Sequence, residues 1–170
     1  MDWVRASNFY LQFFREINFF VNDLGFATFN PVAASPLIGY GTPPDTRINF
    51  SILDYHGLND RTIPYNEEIA IGIGPYGSLI SYDGYYYEDK RTNLNEWATA
   101  MNCDDEVRYE TDWDGIKSFE CYERKCAHGN SILACTGEYG HNYPLWNQDG
   151  TPSAAIAWNF MKNHPRNRNV

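Results

Sequence analysis

Phe9, Tyr10, Phe13, Phe14, Ile17, Phe20, Val21 and Leu24 recur at spacings of three and four, and Gly25 follows them. That period predicts an amphipathic helix of about 14 residues, packed on a core and ended by the glycine. GFATFNPVAAS (residues 25–35) reads as a short buried strand that stops at Asn30-Pro31. PLIGYGTPPDTRI follows as a loop, punctuated by Pro and Gly. INFSILDYHG (residues 48–57) is apolar on both sides, as a strand covered on both faces tends to be.

After Pro64, residues 66–71 suggest a short helix, and GIGPYGSLISYDGYYYED (72–89) suggests a long Gly/Tyr loop. Thr92 and Asn93, followed by Glu96, predict a helix start of the capping-box type, with Leu94, Trp97, Ala98 and Met101 as its buried stripe. NSILACTGEYGH (130–141) reads as a third strand. The last helix has Thr151 as its cap and Pro152 at its first position, and its apolar set is Ile156, Trp158, Phe160 and Met161. Lys162, His164 and Pro165 end it. The order helix, strand, strand, helix, strand, helix predicts an α/β fold with a mostly parallel sheet flanked by helices, in which functional groups lie beyond the carboxyl ends of strands. There is no internal repeat or interior boundary, so residues 1–170 read as part of one domain.

Composition narrows the partners. The chain has 170 residues, 43% of them hydrophobic, which is enough for one core. A formal net charge of -9 repels a nucleic-acid backbone. No basic block suits an anionic membrane surface, and no stretch reaches the roughly 20 apolar residues of a membrane span. Residues 1–30 carry no signal-peptide pattern. Cys103, Cys121, Cys126 and Cys135 cluster in one segment and predict two disulfides and an oxidising, extracellular compartment. Their connectivity is open among three pairings. A zinc site built on Cys121, Cys126 and His128 is the weaker reading, because the paired C-x2-C knuckles are absent. An export-type cysteine pattern without an export signal leads to the expectation that N-terminal sequence is missing.

The candidate chemistry lies past two strand ends. Asp60 follows INFSILDYHG, and His141 closes NSILACTGEYGH. An acid and then a histidine, each in a loop after a strand, matches the Asp…His order of hydrolase triads. There the carboxylate orients an imidazole that accepts the nucleophile's proton. An ordinary Asn59-Asp60 turn and a hydrogen-bonded loop histidine account for the same residues equally well.

HGLNDRTIPY resembles the acid-bearing segment of the polyhydroxybutyrate depolymerase and feruloyl esterase family of α/β-hydrolases. GEYGHNYP resembles that family's catalytic-histidine segment, and GYYYEDKRTNLNEWATAMNC resembles the stretch between the two. SAAIAWNFMKNHP is similar to its closing helix. The four segments occur in the family's order, over about residues 26–165. The resemblance implies an α/β-hydrolase domain present as its C-terminal portion, without the early strands. It implies a secreted serine esterase acting on feruloyl, acetylated-polysaccharide or polyhydroxyalkanoate esters, small or polymeric. By position in WVRASNFYLQFF, Ser7 would be the nucleophile and the backbone N–H of Asn8 one oxyanion donor, with His141 as general base and Asp60 as orienting acid.

No metal or cofactor is implied. The resemblance also pairs Cys103 with Cys126, which leaves Cys121 and Cys135. Arg5 and Phe9 stand where the family's nucleophile elbow has glycines. The competing expectation is therefore a non-catalytic remnant or a carbohydrate-binding descendant. A prolyl-oligopeptidase-type peptidase would share an Asp after a His-Gly strand end, but not the cysteine segment or the Trp helix.

Overall fold

The computed structural model describes residues 28–39, 50–109, 120–141 and 152–164. The helix expected over residues 9–24, the cap Thr151, and Ser7 and Asn8 lie outside them. In chain order the elements are β1 (Thr28–Phe29), β2 (Ser51–Gly57), β3 (Gly72–Ile73), β4 (Leu79–Ile80), β5 (Tyr86–Tyr87), α1 (Lys90–Ala100), β6 (Val107–Arg108), β7 (Glu120–Lys125), β8 (Ser131–Gly137) and α2 (Pro152–Asn163).

The expected mostly parallel, helix-flanked α/β-hydrolase sheet is not what these residues form. They build a mixed five-stranded sheet in the order β1-β2-β8-β7-β6, and a separate three-stranded antiparallel sheet, β3-β4-β5. Among the described residues there are only two short α-helices. β2 pairs in parallel with both β1 and β8, whereas β7 runs antiparallel to β8 and to β6. The cause is connection length. Residues 126–130 are all that join β7 to β8, and a parallel crossover needs roughly a dozen residues or more.

β2 is buried along its whole length because both faces are covered. Ile52 packs with Phe50, Ile132 and the α1 residues Trp97 and Ala98, and Met101 closes that cluster. Leu53 and Tyr55 point the other way, into a cluster with Leu133, Cys135 and the α2 residues Ile156, Ala157 and Phe160. Period-2 alternation puts Asp54 and His56 on the same side as Ile52, so a carboxylate and an imidazole are buried with the apolar core. The Tyr55 hydroxyl donates to Ser153 O at 2.7 Å and ties the start of α2 to β2.

Several local expectations change. α1 starts at Lys90, one turn earlier than the Thr92–Glu96 pattern suggests, because the Asp89 carboxylate caps it by accepting from Thr92 N at 2.9 Å. Residues 66–71 form turns centred on the Asn66 carbonyl and side chain rather than a helix. The Gly/Tyr segment 72–89 is the small antiparallel sheet, with the tight turn at its first corner carried by Tyr76 at φ 58 and Gly77 at φ 75. In α2, Ile156 and Phe160 are four apart and share a face. Trp158, midway between them, points away and is 64% exposed, and Met161 is also exposed.

Both disulfides form, Cys103–Cys126 and Cys121–Cys135. The second joins residues that stand directly opposite each other in the β7–β8 ladder. With Cys121 and Cys126 in different disulfides, neither offers the thiolate that the zinc reading required. No helix among the described residues is long and apolar enough to cross a membrane.

Candidate active site

The parallel pairing of β2 with β8 does the positioning. Gly57 stands opposite Gly137, so both chains leave the sheet at the same end. The two exits are then laced together. Leu58 N donates to Gly137 O at 2.8 Å, Asn59 N to Tyr139 O at 3.0 Å, and Asn59 Nδ2 to Glu138 Oε2 at 3.0 Å. Gly57 is required by this approach, and not by a turn. A Cβ there would lie 2.2 Å from Tyr139 O and 2.7 Å from Gly140 O, both backbone atoms.

Asp60 comes out of this lacing fully buried. Its Oδ1 accepts from Thr62 N at 2.9 Å and from Ile63 N at 3.0 Å. Its Oδ2 is 2.9 Å from His141 Nδ1. The carboxylate accepts, so His141 carries its proton on Nδ1 and keeps the lone pair on Nε2. The His141 side chain is 41% exposed, which leaves the pair with one sealed end and one open end. That asymmetry is what a general base requires, a buried orienting acid behind a ring that reaches solvent.

A second histidine lies beside the same acid. His56 is fully buried, with Nε2 2.9 Å from Ile63 O and 3.7 Å from Asp60 Oδ2. Burial is the main cause that lowers its pKa to about 3; Lys90, and more weakly His141, push the same way, and the bond to Ile63 O opposes them. Its ring also meets Tyr65 at a centroid distance of 5.6 Å, and burial raises the pKa of that tyrosine. On the same face of β2, Asp54 Oδ1 is 2.5 Å from Lys90 Nζ, and Lys90 also donates to Ala34 O at 2.6 Å. Desolvation raises the Asp54 pKa in spite of the lysine, which pulls it down. A small crevice with a volume of about 20 Å³ lies over this ion pair and is walled by Phe29, Pro31, Ile52, Leu94 and Trp97. It involves neither loop of the Asp60–His141 pair.

Of the four residues expected at the site, the structure brings Asp60 and His141 into hydrogen-bond contact, while Ser7 and Asn8 lie outside the described residues. Sequence reasoning passed over His56, Asp54 and Lys90. The signal was present, since two ionisable residues alternate within an otherwise apolar strand, a pattern that demands buried partners. No group of three or more His, Cys, Asp or Glu side chains among the described residues is arranged to hold a metal ion. No protein-family model matches the chain, and no curated protein sequence matches it either.

Proposed function

We propose that this protein is an extracellular carboxylic-ester hydrolase in which Ser7, His141 and Asp60 act as nucleophile, general base and orienting acid. The observation that carries the proposal is the buried Asp60 carboxylate, held by two backbone N–H groups on one oxygen and turned to His141 Nδ1 with the other. In this reading Ser7 Oγ adds to the ester carbonyl as its proton passes to His141 Nε2. The Asn8 N–H and a second donor hold the oxyanion. His141 then returns the proton to the leaving alcohol, and water releases the acid from the acyl-enzyme by the same steps. This chemistry needs no metal or cofactor. The resemblance of four ordered segments to polyhydroxybutyrate depolymerases and feruloyl esterases supports feruloyl, acetyl or hydroxyalkanoate esters as substrates. Two disulfides support the extracellular setting.

The test is intact-mass detection of a fluorophosphonate adduct on the purified chain. The expected result is one adduct, absent in both Ser7→Ala and His141→Ala. Failure of the folded, disulfide-bonded protein to form an adduct would overturn the proposal. The second reading, a carbohydrate-binding descendant without catalysis, has its own observation in Tyr76 and Tyr82, which are 94% and 77% exposed on and beside the small sheet. Exposed aromatic rings suit sugar faces, and retention on insoluble xylan with no adduct would favour it.

A further inference from the structure

We infer that His56 is a positioning residue for the Asp60–His141 pair, acting through Ile63, an inference that rests on the reading of that pair as acid and base. Ile63 is held at both of its backbone polar groups: its N–H donates to Asp60 Oδ1 at 3.0 Å, and its carbonyl stands 2.9 Å from His56 Nε2. Its side chain is buried, and Pro64 behind it restricts its backbone to extended conformations. Shifting the Ile63 backbone at its carbonyl therefore shifts, one Cα away, a donor that orients the Asp60 carboxylate.

The chemistry of the ring fixes its role. A carbonyl only accepts, so His56 carries its proton on Nε2. Its Nδ1 is buried, and no group among the described residues hydrogen-bonds it. An imidazole with one orphan nitrogen is a poor choice for packing alone, because a buried polar atom without a partner costs stability. What it supplies that an apolar residue of similar size cannot is the N–H aimed at Ile63 O.

Neutrality is part of the role. Among the described residues, the charged and titratable groups around His56 are Asp60 at 3.7 Å, Lys90 from α1 with its partner Asp54 on the same face of β2, His141 from the facing loop and Tyr65. A second proton would set a cation beside Asp60 Oδ2, in competition with His141 for the oxygen that orients it. Burial and the nearby lysine keep that proton off.

The experiment is 15N NMR of the imidazole nitrogens in the whole chain, which reads the tautomer of each histidine. In the wild type at neutral pH, His56 is expected as the Nε2–H tautomer and His141 as the Nδ1–H tautomer. His56→Leu, with both disulfides intact, is expected to lose the Nδ1–H bias of His141 and to react with fluorophosphonate about 10²-fold more slowly. His56→Gln, whose amide N–H can reach Ile63 O, is expected to restore both. A folded His56→Leu protein with an unchanged His141 tautomer would overturn the inference. So would a wild-type His56 that carries its proton on Nδ1, a measurement that needs no variant. If the esterase reading alone is wrong, the wild type forms no adduct while the tautomer pattern remains.

Discussion

Asp60 divides its two oxygens between the backbone and His141, and that division depends on a glycine three residues earlier. The loops after β2 and β8 approach so closely at Gly57 that one methyl group would meet two carbonyl oxygens. Neither oxygen can swing aside as a side-chain tip could, since Tyr139 O already accepts from Asn59 N. Gly57→Ala should therefore push the loops apart, cost about 1–3 kcal/mol in urea unfolding, and weaken the Asp60–His141 contact along with the fold. At this scale the acid and the histidine were legible, because each lies a few residues past the end of a mostly apolar run. His56 was not. Its partner is the carbonyl of Ile63, a backbone atom that carries no sequence signature.

At the scale of elements, α1 is tied to β2 by a buried ion pair as well as by apolar packing. Lys90 enters the sheet side of the helix at its first turn and meets Asp54, and both side chains are almost fully buried. Taking two charges out of water is costly, so the pair adds little net stability, but breaking it strands one charge in the core. Lys90→Met should cost about 3–5 kcal/mol in chemical denaturation, and adding Asp54→Leu should recover most of that loss. β2 and β8 were readable as continuous apolar runs, and α1 and α2 from apolar residues at helical spacing. β7 was not, because ECYERK is mostly charged and takes its strand geometry from pairing with β8. The two-residue strands β3, β4 and β5 are too short to show any period, and only their mutual hydrogen bonding defines them.

Stability of the whole molecule should depend on His56. Its pKa of about 3 in the folded protein lies below the ordinary value of 6.5, so between those limits the unfolded chain binds a proton that the folded one does not. The stability associated with the neutral ring is fully present above about pH 6.5 and is lost as pH falls toward about 3, at about 1.4 kcal/mol per pH unit. Asp54 works in the opposite direction. Its raised pKa lets the folded state take up a proton before the unfolded state does, which offsets part of the loss. Urea unfolding from pH 7 to pH 4 should show the wild type losing stability more steeply than His56→Gln, and equal slopes would contradict this account. Both proteins keep Asp54, so the difference isolates the histidine.

What the sequence determined by itself was local: which runs are buried, where helices can pack, which cysteines are available, and that an acid and a histidine each follow a strand. Those features depend on periodicity and residue chemistry within a short window. Tertiary structure alone decided the direction of β7, and so a mixed sheet in place of a parallel one, because strand direction follows from how a short connection closes in space. It also decided that Asp60 meets His141 and has His56 behind it. Those contacts depend on the parallel register of β2 and β8, two strands separated by more than seventy residues of chain. Nothing in the local pattern of either strand encodes that register.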